Sequence, residues 1–203
     1  MKIIHAINPK GGSGKTTAII QLASWCSSKG MRVAIIDMDS QRSVHFLIES
    51  SIHEWPLTPI LFKGWPDLPP TVDVLLVDHP GRLEINDLPT NGTVIMPIRP
   101  VAHDVGASLV ALRVLRGMPA LRVIPFINCY DSQRGEHRKT VEGIAELAHI
   151  ALVADRSCVQ RTMQTGHGVF SSIIPANMYG LRQAQQEWSK VATSVFSEEE
   201  NDG

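Results

Sequence analysis

Short β-branched apolar runs alternate along the chain with longer segments of helical period. Residues 2–8 (Lys-Ile-Ile-His-Ala-Ile-Asn) predict a first strand, and 32–37, 73–78, 93–98, 122–128 and 150–154 predict five more. Between the first two, residues 15–29 predict a helix whose buried stripe is Ile19, Leu22, Ala23 and Cys26, stopped by Gly30. Asp104 is read as the cap of a helix reaching about Met118. Further helices are predicted over 135–148 and about 179–196, the last with Leu181, Ala184, Trp188, Val191 and Val195 on one face. Strands apolar on both faces, alternating with helices, call for a mostly parallel twisted sheet covered by helices on both sides, a three-layer α/β architecture. Residues 43–70 break the pattern. They contain Trp55-Pro56, Trp65-Pro66 and Pro69-Pro70, show no clear period, and are read as a variable excursion between the second and third strands.

The 203 residues suit one domain, expected over 1–196, with 197–203 (Ser-Glu-Glu-Glu-Asn-Asp-Gly) an acidic disordered tail. A chain this long buries about 70 % of its unfolded surface, enough to fold without a metal or disulfide staple. No run of about 18 apolar residues is present, so no membrane-spanning helix is expected. The opening residues lack a long apolar region and a small-residue cleavage site, so a cytoplasmic location is expected. Cys26, Cys129 and Cys158 are odd in number and widely spaced, and read as buried thiols rather than disulfide or zinc ligands. The scattered histidines lack metal spacing, and Trp25, Trp55, Trp65 and Trp188 read as packing residues. The net charge of −1 excludes a globally basic nucleic-acid binder. It hides a local excess: Arg99 to Lys139 holds seven basic and three acidic residues.

The candidate chemistry begins at Asn8-Pro-Lys-Gly-Gly-Ser-Gly-Lys-Thr-Thr17, between the first predicted strand and the first predicted helix. That is the context of a phosphate-binding loop. Gly11, Gly12 and Gly14 let the backbone of Gly11–Thr17, Ser13 included, turn its N–H groups toward a polyphosphate, and the helix N-terminus adds positive potential. Lys15 would reach the β- and γ-phosphates, and the Thr16 hydroxyl would ligate Mg²⁺. Asp37 and Asp39 close the second strand, and Asp78 ends the apolar run 74–77; each is placed to hold a metal shell or a water, or else to cap a strand or helix end.

The loop departs from the general pattern in two ways: Pro9 stands where a glycine is usual, and Lys10 precedes Lys15 by five residues. In this it resembles the deviant phosphate loop of the ParA/MinD ATPases, Lys-Gly-Gly-x-Gly-Lys-Thr-Thr. The resemblance extends to Asp37-Met-Asp39-Ser-Gln41 (with Ser40 in place of the common proline), Val74-Leu-Leu-Val-Asp78, Val94-Ile-Met-Pro97 and Phe126-Ile-Asn128, and spans about 1–196. It is nearest to the small ParA proteins of plasmid partition. It implies a P-loop NTPase fold, with ATP and Mg²⁺ as cofactors. It implies that Lys10 reaches a partner subunit's nucleotide, that Asp39 positions the attacking water, and that Asp37 and Asp78 support the metal with Thr16. Asn128 would read adenine, and Pro100 would help wall the base. His79 and Arg82 stand where relatives vary and receive no role.

The partners implied are a second copy in an ATP-dependent homodimer, with growth into a polymer left open, a centromere-binding adaptor that stimulates hydrolysis, and DNA bound without sequence preference. Arg113, Arg116, Arg122, Arg134, Arg138, Lys139, Arg182 and Lys190 are candidate phosphate contacts, each weighed against an ordinary surface charge. The expected location is cytoplasmic and nucleoid-associated. Two other classes stay open: a MinD-like positioning ATPase, against which the acidic 197–203 argues because an anionic membrane repels it, and a metabolic phosphoryl-transfer enzyme, for which no acceptor cluster is apparent.

Overall fold

The computed structural model describes residues 1–49, 55, 59–62, 65, 71–81, 87–144, 147 and 150–197. Seven strands form one sheet: β1 (Lys2–Ala6), β2 (Val33–Asp37), β3 (Ile60–Phe62), β4 (Val74–Asp78), β5 (Gly92–Ile98), β6 (Leu121–Tyr130) and β7 (Ala151–Ala154). Their order is β3-β2-β4-β1-β5-β6-β7, and every described pairing is parallel. The six predicted strands are all present. The seventh, β3, pairs beside β2 at the sheet edge and comes from the excursion read as patternless. Three residues are too few to show a period against their Pro- and Trp-rich flanks. The same excursion opens with α2 (Ser43–Glu49); its remaining residues lie largely outside the described ones, as do residues 198–203 of the tail and Arg82.

Because the strands are parallel, each return needs a crossover, and the helices cover both faces. α1 (Lys15–Ser28) lies on the face made by Ile4, Ala6, Ile35, Leu76, Ile95 and Phe126, with α6 (Leu181–Phe196) packed beside it. α3 (Ala102–Arg116) covers the other face, where Val94, Met96, Ile98 and Ile127 point. The α6 stripe is buried as predicted. The α1 prediction of a single stripe is corrected: Ile20, Gln21, Ser24 and Ser27 are buried as well. The cause is tertiary. α1 is sandwiched between the sheet and a second layer of α2, α6 and the 166–171 turn, so even polar positions leave water. Gln21 shows how: its Oε1 accepts the Val169 N–H at 2.8 Å.

Other expectations need correction. α3 begins at Val101 as its N-cap, and Asp104 makes no cap hydrogen bond. α4 (Gly135–Glu142) ends earlier than expected, at Gly143. After β7 comes α5 (Ser157–Gln164), in agreement with the helix that the segment after the sixth predicted strand implies. Cys26 and Cys158 are buried free thiols, and burial pushes Cys26 up to about 12. Cys129 is only half-buried, on a backbone with φ 58° that bends the end of β6. Trp55 and Trp188 pack inside, whereas Trp65 is 60 % exposed and so is not a core residue.

The 166–171 turn approaches α1 closely: a Cβ on Gly168 would lie 2.5 Å from Ser24 Cβ. Gly168→Ala should therefore lower unfolding free energy by about 1–3 kcal/mol. Gly106, in the α3 interior with nothing within 4 Å of a built Cβ, should gain about 0.5–1 kcal/mol on substitution by Ala. Urea unfolding of both variants checks the contrast.

Candidate functional site

The β1–α1 turn is held from outside at three points. Asn8 is buried, and its Nδ2 donates to the Pro97 carbonyl at 2.8 Å and to Ser108 Oγ at 2.9 Å. Its Oδ1 accepts the Lys10 N–H at 2.9 Å, an Asx turn that sets the direction of the loop. At the far end, Asn128 Nδ2 donates to the Ser13 carbonyl at 2.8 Å and presses on Gly14, leaving no space for a Cβ there. Gly14 also takes φ 104°, a conformation that demands glycine. Across the mouth sits Gly81, whose Cβ position is 3.4 Å from the Gly11 nitrogen and 3.6 Å from Lys15 Nζ.

Lys15 and Thr16, in the first turn of α1, face the same cradle. Lys15 is buried, with Nζ 3.4 Å from the carbonyls of both Asn8 and Lys10. Burial pulls its pKa below the usual lysine value, and Asp78 and Asp39 oppose that shift. Thr16 donates to Asp78 Oδ2 at 2.8 Å. Asp78 Oδ1 is buried without a hydrogen-bond partner among the described residues. Burial, with help from Asp37 and Asp39, raises Asp78 to about 7, against the pull of Thr16 and Lys15. Asp37 stands in register beside Asp78 on the neighbouring strand. Its oxygens accept the Asp39 and His45 N–H groups, both at 3.2 Å, so it also caps the first turn of α2. Asp39 is half-exposed, and its Oδ1 accepts the Gln41 N–H at 3.0 Å.

These residues fit a Mg²⁺–polyphosphate. Gly11 and Gly12 are exposed, with nothing within 4 Å of a built Cβ. The orphaned Asp78 oxygen beside a threonine hydroxyl is a hard-oxygen donor set of the kind Mg²⁺ prefers. Among the described residues no group of three His, Cys, Asp or Glu could hold a metal alone, so any ion held here would take further oxygens from water or a ligand.

The structure thus brings together Gly11, Gly12, Ser13, Gly14, Lys15, Thr16, Thr17, Asp37, Asp39, Asp78 and Asn128 at the C-terminal ends of β1, β2, β4 and β6. Beside them, a cavity of about 420 Å³ is lined by Pro100, Tyr130, Asp131 and His137. The candidate DNA contacts do not converge. Arg113 and Arg116 occupy the last turn of α3, at the end of the sheet where β6 begins. There Arg122 donates to the Ser197 carbonyl at 2.7 Å. Arg134, Arg138 and Lys139 lie at the opposite end, beyond β6, where Arg134 pairs with Asp131 at 3.3 Å. Arg182 and Lys190 are exposed on α6.

Sequence reasoning passed over several members of this assembly. Asn8 was legible as an Asx-turn residue before a proline; Asp104 signalled only a helix cap, and Ser108 and Gly81 carried no local signal. Nor did His5, whose Nδ1 lies 3.0 Å from His79 Nε2 on the sheet face away from α1. Burial lowers both rings to about 4, so they stand neutral near pH 7.

Comparison with known proteins agrees with this geometry. The chain is 26 % identical over 219 residues to the chromosome-partitioning ATPase Soj of Thermus thermophilus, covering 86 % of this chain and 81 % of that protein. Two other curated relatives match over shorter stretches, of which the chain spans only 12 % and 16 % of their lengths. In fold it is similar to a candidate plasmid partition protein of Borrelia burgdorferi bound to AMPPNP, with TM-score 0.69, 17 % identity, and 96 % and 99 % of the two chains covered. It is similar in the same way to the septum site-determining protein MinD of Pyrococcus horikoshii complexed with Mg-ADP, with TM-score 0.69, 17 % identity, and 97 % and 96 % covered. Residues 4–175 match the CobQ/CobB/MinD/ParA nucleotide-binding domain, and with a phosphate cradle of this form at the head of that match, the chain belongs to that family.

Proposed function

We propose that the chain is an ATP-dependent DNA-partition ATPase, in which ATP binding drives a two-fold sandwich dimer and hydrolysis resets it. The observation that carries the reading is the divergence of the two loop lysines. Lys15 is buried over its own cradle, while the Lys10 side chain is 37 % exposed and lies outside it near α3. In this reading Lys15 serves the nucleotide of its own chain, and Lys10, which points away from that cradle, serves a neighbour's.

In this reading the loop N–H groups and Lys15 bind the β- and γ-phosphates. Thr16 and Asp78 would hold Mg²⁺, with Asp37 supporting its shell; the bound ion supplies neutralisation of phosphate charge. Asp39 orients the attacking water. Asn128 keeps Ser13 and Gly14 in place and offers its Oδ1 toward the adenine edge, with Pro100 walling the neighbouring cavity. No arginine stands on the loop itself, so slow basal turnover is expected until a centromere-bound adaptor stimulates it. The dimer binds DNA through the exposed basic residues, by phosphate contact and without base readout. Such a protein works in the cytoplasm on the nucleoid. Among the described residues no helix is long and apolar enough to cross a membrane, and co-sedimentation with DNA rather than with anionic liposomes in the presence of ATP separates this reading from a MinD-like one.

Lys15→Ala and Gly81→Val should each abolish nucleotide binding, the first by removing the cation and the second by filling the mouth of the cradle. Fluorescent ATP titration checks both, and normal affinity in Lys15→Ala would refute the phosphate assignment. Lys10→Ala should retain nucleotide but lose ATP-dependent dimers in light scattering, and Asp39→Ala should accumulate the ATP dimer with turnover suppressed. DNA affinity should fall steeply with salt, about 10³-fold or more between 50 and 200 mM if six or more phosphates are contacted; a flat salt response would remove the basic residues from that role.

A further inference from the structure

Lys10 is committed within its own chain. Its Nζ lies 3.8 Å from Asp104 Oδ1, in the first turn of α3. Asp104 is not a surface acid that water can satisfy, because its side chain is only 12 % exposed. A carboxylate so placed needs a cation or hydrogen-bond donors. It has two: Lys10, and His103, whose Nε2 is 3.0 Å from the same Oδ1.

The placement is built rather than incidental. The Asp104 carbonyl accepts the Ser108 hydroxyl at 2.8 Å, and Ser108 Oγ accepts Asn8 Nδ2 at 2.9 Å. Asn8 in turn fixes the Lys10 N–H at 2.9 Å. The first turn of α3 and the start of the phosphate loop are therefore one hydrogen-bonded unit, and the carboxylate and the ammonium face each other across it. The helix N-terminus also favours the ionised carboxylate. At 3.8 Å with a partly exposed lysine, the pair is loose enough to open.

We propose that Asp104 is a positioning residue that parks Lys10 on its own chain, so that the cross-subunit contact forms only when a partner's triphosphate outbids the carboxylate. The inference rests on the cross-subunit reading of Lys10 above. His103 completes the device: when Lys10 leaves, it remains on Oδ1, so Asp104 is not left buried and unpaired. Asp104 thereby sets the nucleotide threshold of dimerisation, without touching the nucleotide itself.

The test is Asp104→Asn, which keeps the volume and removes the charge. Sedimentation velocity with Mg²⁺ and AMPPNP reads the dimer dissociation constant of the full chain. Two lysines are released per dimer, so the variant should dimerise about tenfold more tightly than the natural chain. It should need correspondingly less AMPPNP to do so. In a Lys10→Ala background the same substitution should change nothing, and the double variant should stay monomeric. Unchanged or weakened dimerisation of Asp104→Asn, with thermal unfolding showing a folded chain, overturns the parking role. Dimers regained in the double variant overturn it too, since the effect would then bypass Lys10. If Lys10→Ala alone dimerises normally, the cross-subunit reading itself fails, a result distinct from both.

Discussion

A loop that presents its N–H groups to a ligand cannot use them to hold its own shape, and this constraint organises the molecule. The 8–17 turn is braced instead by contacts between its own Asn8, Gly11 and Ser13 and distant parts of the sequence. Asn8 ties it to the end of β5 and to α3, Asn128 grips Ser13 from the end of β6, and Gly81 closes over Gly11. Pro97, Asn128 and Gly81 stand at or just past the C-terminal ends of β5, β6 and β4, the edge of the parallel sheet that faces the loop, and Ser108 comes from α3. The parallel sheet is thus the means by which residues about 70 to 120 positions away meet one ten-residue turn.

What could be read from the sequence follows from this. Strands buried on both faces announce themselves through unbroken apolar runs, so β1, β2, β4, β5 and β6 were legible, and the edge strand β7 was legible from its short apolar run. The juxtaposition of Lys15, Thr16 and Asp78 was legible too, because they sit in contiguous motifs next to those runs. What escaped depends on contacts between distant segments. α1 has polar residues such as Gln21 and Ser24 that look solvent-facing until the 166–171 turn and α6 cover them. Asp104 looks like a helix cap, but the helix starts at Val101 and the carboxylate is used sideways, toward Lys10. Asp37 shows the converse: the cap that sequence offered as one reading is present, with Oδ2 accepting the His45 N–H of α2 and Oδ1 the Asp39 N–H, while the residue still stands beside Asp78. β3 was hidden by its brevity.

The electrostatics have a direction. Asp37, Asp39 and Asp78 gather at adjacent strand ends, and their repulsion, added to burial, is what lifts Asp78 toward neutrality. Lys15 alone does not offset three carboxylates. Under the proposed function a divalent cation would offset them, leaving Lys15, now 3.4 Å from the Asn8 and Lys10 carbonyls, for phosphate oxygens. On that reading the acids and Lys15 would favour the same ligand, a metal-complexed polyphosphate, over either component alone.

His5 and His79 explain how Asp78 stays fixed in that field. On the α1 side the Thr16 hydroxyl holds its carboxylate. On the other side the residue after it is fastened twice, by its N–H to the Ala6 carbonyl at 3.4 Å and by its ring to His5 at 3.0 Å. An aliphatic pair would fill this space without fixing an orientation; two hydrogen-bonded rings fix one. The fastening works because both rings are neutral: burial empties them of charge, and Lys15 and His5 each push His79 further the same way. A protonated imidazole there would compete with Lys15 for the same carboxylates. Keeping the pair neutral reserves the positive charge of the site for Lys15.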